Sequence, residues 1–487
     1  MSRFAAVITT VVCLLLAASW ACADGAPDAP TLPVRYSVAP DKVRVVLDLP
    51  QETAYTDHST PKAAIVSIAT PLAQPIAPIT LNDPIATGII LAPDADGQAV
   101  LTVTLAAARK CQIFTLPAEK DKPFRVVIDI LKRFQTTESR KLSPAITYTR
   151  FEQQTDDRYM QAHFIEVNLR DRHTQCRVVT AQRDRETVAA MVTRTGAACG
   201  VNGGYFLQGT RPVGLLKAEG IVRSLPLWGR TAVAFAPTGP AFGNPSGCWQ
   251  VTLPDGTTRE VADWMNASIL PTPPSARIIP GATLTQAPAN PRGVTAIIRD
   301  SVVIARPSIV TLLQPGDFAL HLTGDEAKAL DAQLPVGAKV TVTPVLTPAE
   351  WKDYEQAVGA GPRLLQDGAL TITAPAERIP PDILNGRPAR TGIGATTDGR
   401  LVLVVVEAPG PFGGGATLAE LAGLLKAHGA CDAMNLDGGG SSCLALGPET
   451  VNYPPKAWVR PVACGILIYD DRLPSPGDTL AAITVNK

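Results

Sequence analysis

An excess of charge of either sign is missing from this chain of 487 residues. Lys and Arg together number 44, Asp and Glu together also number 44, and no stretch concentrates basic residues. Proteins that bind nucleic acid usually present a basic face, so this composition argues against a nucleic-acid partner. An anionic ligand would have to be recognised by a local site, because the chain as a whole provides no attracting field.

Histidine and closely spaced cysteine pairs are also scarce. Five His are too few for the His-rich clusters that two-metal phosphodiesterases commonly use. None of the nine Cys forms a C-x-x-C pair, which argues against a metal bound through sulfur. Seven Cys follow residue 23, and this odd number leaves the disulfide pairing open, with buried free thiols as the alternative.

Long apolar runs are absent except at the start of the sequence. Residues 4–21 are apolar, follow a single Arg and lead into Ala21-Cys22-Ala23, which is typical of a secretory signal peptide at 1–23. The alternative is a lipoprotein signal with acylated Cys22. No other run could span a bilayer, so the sequence predicts an exported protein of the periplasm or cell envelope without a transmembrane segment in the mature chain.

The pattern of apolar residues predicts an α+β protein with a small all-β domain ahead of a larger one. Residues 33–132 contain four strand-like segments, at 43–49, 63–69, 99–106 and 124–131. The polar segment 133–148 has no sustained period and is interpreted as a linker. Residues 149–471 mix strands with helices, which predicts a mixed β-sheet with flanking helices, and 472–487 form a C-terminal tail.

Three helices are predicted in the larger domain. Segments 184–196 and 417–429 place apolar side chains on one face and end at a glycine. Thr417 and Glu420 form a T-x-x-E capping box in the second of these. A short third helix is predicted near 324–333, in a region otherwise made of short strands.

Two glycine clusters follow the same succession of strand, helix and short strand. One contains Asn202, Gly203 and Gly204, and the other is the segment NLDGGGSS at 435–442. Ligands of such sheets gather at strand ends, and adjacent glycines leave amide N–H groups free to bind an anion. The alternative is a turn that binds nothing. No Lys follows the glycines, which excludes a P-loop.

Arginines in two further segments are candidates to complete an anion site. Arg363 lies in 359–370, and Arg387 and Arg390 lie in 386–406. A planar guanidinium can bind two oxygens of one phosphate. The alternative for each is a solvated arginine near a turn.

Four segments occur in an order that closely resembles the phosphodiester glycosidase family. They are VNGGYF (201–206), GPRLLQDG (361–368), RPARTGIG (387–394) and MNLDGGGSS (434–442). The resemblance covers roughly 155–470 and implies hydrolysis of a sugar 1-phosphodiester in an envelope polysaccharide or exopolysaccharide. Rival functions are a non-catalytic protein that binds an anionic glycan and a metal-dependent phosphodiesterase that cleaves the P–O bond.

The resemblance also implies which residues form the site. Asn202, Arg390 and Asp437 would be catalytic. Residues that the resemblance places in contact with the substrate are Gly203, Gly204, Thr391, Gly438, Gly439 and Ser441. Arg363, Asn435 and Gly440 are added as substrate contacts because of their place in the arginine and glycine segments. A phosphate leaving group is a weak base, so the protonating acid of ordinary glycosidases can be dispensed with.

In the mechanism predicted from this site, Arg390 and the amides of 438–440 hold the departing phosphate. Asp437 activates water or stabilises the developing charge on the sugar. Asn202 and Ser441 contact sugar hydroxyls or orient Asp437. No cofactor is expected to be required, and the alternative is a Ca²⁺ or Mg²⁺ ion on the oxygens of Asn202, Asn435 and Asp437.

The chain departs from the family pattern at three points. Gly392 and Cys443 replace the usual Ala and Thr, and the strand after Arg390 ends in Glu407-Ala408-Pro409 where an acidic residue, Gly and Arg are usual. The last departure leaves any role of Glu407 open. His163 is expected to be structural, with a site role as the alternative, and Glu219 is expected to be a turn carboxylate, with a second catalytic acid as the alternative. His428 is expected to stabilise the C-terminus of its helix.

In the small domain, residues 44–49 and 125–130 resemble the strands that open and close the AMIN domain, an envelope-targeting module. This resemblance implies attachment to peptidoglycan or a neighbouring wall polymer.

Overall fold

A computed structural model describes residues 32–156, 158–182, 185–207, 211–227, 229–267, 274–281, 285–289, 293–408, 410, 414–452 and 459–474. The chain divides into two compact units, with the boundary between Leu131 and Lys132. The predicted signal peptide and most of the predicted C-terminal tail lie outside the described residues. In the described part of the chain, no helix is long and apolar enough to cross a membrane.

The first unit consists of two antiparallel sheets that share one hydrophobic core. Residues of Lys42–Leu49 alternate between buried and half-buried, as the alternating sequence predicts. The four-stranded sheet has the order Val34–Val38, Lys42–Leu49, Phe124–Leu131, Cys111–Leu116. The five-stranded sheet has the order Tyr55–Asp57, Ala63–Pro71, Gln98–Leu105, Ala86–Pro93, Ile79–Thr80. The four predicted strands are therefore present, while the AMIN resemblance and the attachment to peptidoglycan stay predictions.

The second unit contains four larger sheets. The eight-stranded sheet has the order Phe134–Ser143, Ile146–Gln154, Tyr159–Asn168, Arg400–Val406, Arg390–Thr396, Ala430–Asn435, Arg363–Gln366, Ala369–Leu370. One five-stranded sheet has the order Thr174–Thr180, Cys464–Asp470, Cys199–Asn202, Leu444–Leu446, Glu449–Thr450. The other has the order Ile221–Ser224, Leu216–Ala218, Gln356–Gly359, Ala232–Ala236, Gly239–Gly243.

A seven-stranded sheet occupies the region where short strands were predicted. Its order is Val302–Ala305, Gly293–Arg299, Phe318–Thr323, Ala276–Pro280, Thr258–Asp263, Ser246–Thr252, Thr341–Thr347. The pairing of Thr258–Asp263 with Ala276–Pro280 is parallel. Two strand pairs complete the list: Phe206–Leu207 with Arg211–Pro212, and Gln286–Ala287 with Thr311–Leu312.

The interpretation of 133–148 as a linker is wrong. Phe134–Ser143 and the start of Ile146–Gln154 form an antiparallel pair within this segment. Phe134–Ser143 is the edge strand of the eight-stranded sheet and is exposed over most of its length. Polar side chains are common on such edges because they oppose pairing with other chains, so the polar sequence did not reveal the strand.

Helices cover little of the second unit, and the three predicted ones are present with shorter bounds. They are Val188–Thr195, Leu418–Ala427, and Gly324–Leu330 followed by the 3-10 turn Asp331–Gln333. Both hydrogen bonds of the predicted Thr417–Glu420 capping box are formed. Further short segments are the α-helical turns Trp264–Ala267 and Pro381–Leu384 and the 3-10 turns Ala349–Lys352 and Gly439–Ser441.

Two crossovers through helices bring the glycine clusters together. Thr174–Thr180 and Cys199–Asn202, joined by a helix, both pair with Cys464–Asp470, which lies between them. In the same way, Arg400–Val406 and Ala430–Asn435 flank Arg390–Thr396. The two glycine segments follow the ends of these crossovers and meet where the backbone N–H of Asp437 donates to the Gly203 carbonyl at 3.2 Å.

Candidate functional site

Asn202 connects the segments that form the site. Its Oδ1 accepts hydrogen bonds from Thr391 Oγ1 at 2.8 Å and from the Cys443 N–H at 3.1 Å. Its Nδ2 donates to the backbone carbonyl of Asp437 at 2.7 Å, and the residue is fully buried. Because these polar groups are already satisfied by the protein, the geometry favours the orientation of Asp437 over contact with sugar hydroxyls.

Asp437 is the acidic group at the centre of the glycine loop, residues 437–442. The residue is half-buried, and its Oδ1 accepts the N–H of Gly438 at 2.9 Å. Burial raises the pKa of Asp437 to about 6, although the Ser441 hydroxyl, the Gly438 N–H and the charge of Arg460 act in the opposite direction. A carboxyl group with this pKa can accept and release a proton near neutral pH.

The three glycine amides of the loop are not equivalent. Gly438 donates to Asp437, and Gly439, which has a φ of +59°, donates to the Ala389 carbonyl at 2.8 Å. Only the N–H of Gly440 has no acceptor among the described residues. The expectation that all three amides are available to a phosphate is therefore wrong, because two of them maintain the shape of the loop.

Ser441 lies under the loop and is fully buried. Its hydroxyl forms no hydrogen bond of ordinary geometry with the described residues, yet it is close enough to lower the pKa of Asp437. This placement fits the predicted role of Ser441 in orienting or stabilising Asp437.

Gly203 and Gly204 permit a close approach of backbones. A Cβ atom on Gly203 would lie 2.5 Å from Cys464 Sγ, and one on Gly204 would lie 2.5 Å from the Gly359 carbonyl oxygen. The Gly203 amide already donates to the Cys464 carbonyl at 2.9 Å. The structure thus gives both glycines a packing role. Because the Gly203 amide is already used, it does not support the predicted contact of Gly203 with substrate.

Arg390 is almost completely buried, with 1% of its surface exposed. Its Nε donates to the Ala416 carbonyl at 2.9 Å and its Nη1 to the Ile383 carbonyl at 2.7 Å. Its Nη2 is buried without a hydrogen-bond partner among the described residues, and burial lowers the pKa of the guanidinium. Arg390 therefore holds two neighbouring chain segments in place, and its expected two-point grip on a phosphate is not available in this conformation.

Two other predicted arginines are engaged in ion pairs away from the loop. Arg363 Nη1 lies 3.0 Å from Asp432 Oδ1, which directs the guanidinium away from the end of the strand where the loop begins. Arg387 Nη1 lies 2.7 Å from Oε1 of the capping residue Glu420. The structure does not bring either guanidinium to the glycine loop.

Asn435 and Tyr205 form a polar pair next to the loop. Asn435 Nδ2 donates to the Tyr205 hydroxyl at 2.8 Å, and this hydroxyl donates to the Gly361 carbonyl at 2.8 Å. Asn435 Oδ1 is buried and unpaired among the described residues. Tyr205 lies in the VNGGYF motif, so the motif could have identified it, but the sequence interpretation used only its Asn and Gly.

Arg460 is a site residue that sequence reasoning missed entirely. Its exposed side chain packs on the glycine loop, with Cζ and Nη2 each 2.8 Å from the position of a Cβ on Gly440. Its positive charge also lowers the pKa of Asp437. The residue is 20 positions beyond Gly440 in the sequence and belongs to none of the four motifs, so no local signal indicated it.

The residues expected to be structural have structural partners. His163 is 1% exposed, and its ring nitrogens lie 2.8 Å from Glu407 Oε1 and 2.8 Å from the Tyr148 hydroxyl. His428 Nδ1 lies 2.8 Å from Glu166 Oε1. Glu219 is exposed in the turn between two strands and has a φ of +52°. All seven cysteines after residue 23 are free thiols.

A cation would find an incomplete set of ligands in the predicted trio. Asn202 Oδ1 already accepts two hydrogen bonds, which leaves Asn435 Oδ1 and Asp437 as the available oxygens. In the part of the chain that the structure describes, no three His, Cys, Asp or Glu side chains cluster. Independence from metal stays a prediction.

Comparisons with known proteins find solved structures that share the fold of this chain. A hypothetical protein from Synechocystis shares the fold, with a TM-score of 0.65 at 22% identity over 91% of this chain and 80% of that chain. A Burkholderia pseudomallei K96243 protein, named as exported, has a TM-score of 0.54 at 16% identity over 91% of this chain and 100% of that chain.

The catalytic domain of zebrafish N-acetylglucosamine-1-phosphodiester alpha-N-acetylglucosaminidase aligns with a TM-score of 0.35 at 18% identity over 69% of this chain and 88% of that chain. No curated protein matches the chain. The family model for phosphodiester glycosidases matches residues 292–469, which include Arg390, the glycine loop and Arg460. By this match, residues 292–469 of the chain resemble the phosphodiester glycosidases.

Proposed function

We propose that this protein is an exported hydrolase that cleaves the glycosyl C–O bond of a sugar 1-phosphodiester in an envelope or extracellular polysaccharide. The observation that carries the proposal is a half-buried carboxyl group, Asp437, with a pKa of about 6 on a loop that also offers the free amide of Gly440. The match of residues 292–469 to the phosphodiester glycosidase family supports hydrolase chemistry.

In the proposed reaction, the oxygen of a water molecule attacks the anomeric carbon. The bond from that carbon to the phosphate oxygen breaks, and its electron pair leaves with the phosphate. Asp437, ionised above about pH 6, accepts the proton of the attacking water and later releases it to solvent. Because the phosphate leaves as a stable anion, no second carboxylic acid is required to protonate it.

The other site residues act on Asp437 in this proposal. Asn202 fixes the backbone of Asp437 through its 2.7 Å hydrogen bond, and the Gly438 amide fixes the carboxylate through Oδ1. Such preorganisation lets the carboxylate meet the developing charge without reorganisation during the reaction. Asn202 is thus a positioning residue, and Asp437 is the catalytic residue.

The test uses protein purified after export, a panel of sugar 1-phosphodiesters and ¹⁸O-labelled water. Label in the released sugar, with turnover lost in Asp437→Asn, is the expected result. Label in the phosphate would mean P–O cleavage by a phosphodiesterase and would overturn the proposal. Binding of the phosphodiesters without turnover across the panel would favour the non-catalytic glycan-binding protein.

A further inference from the structure

Arg460 is a cation that packs against Gly440, the residue with the free amide of the glycine loop. The guanidinium lies flat enough on Gly440 that three of its atoms, Cζ, Nη2 and Nε, fall 2.8, 2.8 and 3.1 Å from the position of a Cβ on that glycine. Gly440 is therefore required for this contact, because any side chain at 440 would occupy the space of the guanidinium.

Arg460 has no anionic partner among the described residues, since no carboxylate of this part of the chain lies within ion-pair distance of its guanidinium. The chain is anchored two residues later, where Val462 exchanges backbone hydrogen bonds of 2.9 and 3.0 Å with Glu186. An exposed cation that packs on the glycine loop is available to an anionic ligand.

The other candidates for binding an anion are occupied. Arg390 donates to two backbone carbonyls and its remaining nitrogen is sealed from solvent. The amides of Gly438 and Gly439 donate to acceptors of the protein. The Gly440 N–H and the exposed Arg460 guanidinium, which packs on that glycine, remain available. The hydroxyls of Ser441 and Ser442 also lack partners among the described residues, but both are buried.

We propose that Arg460 and the Gly440 N–H bind the phosphate of the substrate, so that Arg460 selects a charged phosphodiester over a neutral glycoside. This inference rests on the proposed function for the identity of the ligand, and on the geometry of the loop for the position of the anion. The guanidinium supplies two or more N–H donors and a full charge, and the amide adds a donor in fixed orientation. Asp437 lies close enough to this position for the charge of Arg460 to lower its pKa.

The experiment compares Arg460→Gln with a matched control, Arg170→Gln. Arg170 is also exposed and also packs its guanidinium on a glycine, Gly399, with Nε 3.0 Å from the position of a Cβ. Titration calorimetry measures the affinity for inorganic phosphate, and steady-state kinetics measure KM and kcat for a sugar 1-phosphodiester and for the neutral 4-nitrophenyl glycoside of the same sugar.

We expect Arg460→Gln to weaken phosphate binding and to raise KM for the phosphodiester by about tenfold or more, as loss of a charge-assisted hydrogen bond implies. KM for the neutral glycoside should not change. Arg460→Lys should restore part of the phosphate affinity, and Arg170→Gln should behave as the wild type. Circular dichroism measures whether each variant is folded. If Arg460→Gln does not fold, the comparison of Arg460→Lys with the wild type provides the test.

The outcomes separate this inference from the proposed function. Turnover of the phosphodiester with wild-type KM in Arg460→Gln would overturn the role of Arg460 and leave the function intact. If Arg460→Gln weakens phosphate binding but the wild type hydrolyses no phosphodiester, the phosphate site at Arg460 and Gly440 would be supported and the proposed hydrolase function overturned. Equal phosphate affinity in wild type and Arg460→Gln would overturn the proposed phosphate site at Arg460 and Gly440, irrespective of which substrates the enzyme hydrolyses.

Discussion

Thr391 and Asn202 lie on two different sheets and are joined by a hydrogen bond of 2.8 Å from Thr391 Oγ1 to Asn202 Oδ1. Both side chains are fully buried. The bond therefore fixes the distance between the two sheet ends from which the glycine segments emerge. Nδ2 of Asn202 in turn donates a hydrogen bond to the backbone carbonyl of Asp437, the proposed catalytic residue.

Asn202→Ala is expected to destabilise the protein and to lower kcat more than it raises KM. The substitution leaves the Thr391 hydroxyl and the Cys443 N–H buried without their acceptor, at a cost of about 1–3 kcal/mol for each unsatisfied group. Thermal unfolding measures the loss, and kinetics on the phosphodiester give the split between kcat and KM. Thr391→Ser keeps the hydroxyl and serves as the control. An Asn202→Ala protein with wild-type kcat would contradict the positioning role.

The raised pKa of Asp437 predicts that activity increases with pH. The raised pKa of about 6 means that the carboxyl group is protonated, and inactive as a base, below this pH. We expect kcat/KM to rise with pH and to level off above about pH 7. Asp437→Asn should abolish turnover at every pH, whereas Asp300→Asn, at an exposed turn, should leave the profile unchanged. A kcat/KM that falls as the pH rises from 5 to 7 would sink the assignment.

The same shift predicts that Asp437 lowers the stability of the fold at neutral pH. A carboxyl group whose pKa is higher in the folded state than in the unfolded state binds more protons when folded, so stability falls as pH rises from about 4 to 6. Asp437→Asn removes the buried charge and should raise Tm at neutral pH, while near pH 4 the two proteins should unfold alike. A lower Tm of Asp437→Asn at neutral pH would show that the charge is stabilising.

Local patterns predicted many elements of both units. The alternation in 43–49, the capping box at Thr417 and Glu420 and the glycine clusters are each defined by neighbours in sequence. Short-range sterics and hydrogen bonds fix such features, so a single sequence reveals them. The sequence did not reveal the strand Phe134–Ser143 because its polar pattern reflects its position at the edge of the sheet. That position is determined by tertiary structure and not by neighbours in sequence.

The partners of individual donors could not be predicted from the sequence. Nothing near Gly439 indicates that its amide is used by Ala389, and nothing near Arg390 indicates that Ala416 and Ile383 accept from its guanidinium. These bonds join segments that meet only after the sheets have assembled. Only after this assembly is Arg390 buried while Arg460 is the exposed arginine at the glycine loop.

Removal of divalent cations is expected to leave turnover unchanged. Asn202 Oδ1 accepts two hydrogen bonds, so the predicted oxygen trio cannot hold a cation without breaking the connection to Thr391. Dialysis against EDTA, followed by addition of Ca²⁺ or Mg²⁺, measures the dependence. Loss of activity that is restored by one of these ions would revive the metal-dependent alternative.

Gly440→Ala tests whether the guanidinium needs the bare backbone of the loop. The new Cβ would lie 2.8 Å from two atoms of Arg460, so the side chain must leave the loop, and phosphate affinity should fall as far as in Arg460→Gln. Because both substitutions remove one interaction, the double variant should be no weaker than either single one.

Gly423→Ala is the control for this substitution, since a Cβ at this helical position meets no atom within 4 Å. It should leave phosphate binding unchanged and stabilise the helix by about 0.5–1 kcal/mol. Additive losses in the Gly440→Ala, Arg460→Gln double variant would mean that the two residues act on the phosphate separately. In that case Gly440→Ala would act by displacing the amide of residue 440, which alanine retains, and the packing of Arg460 on the glycine would not be what positions the charge.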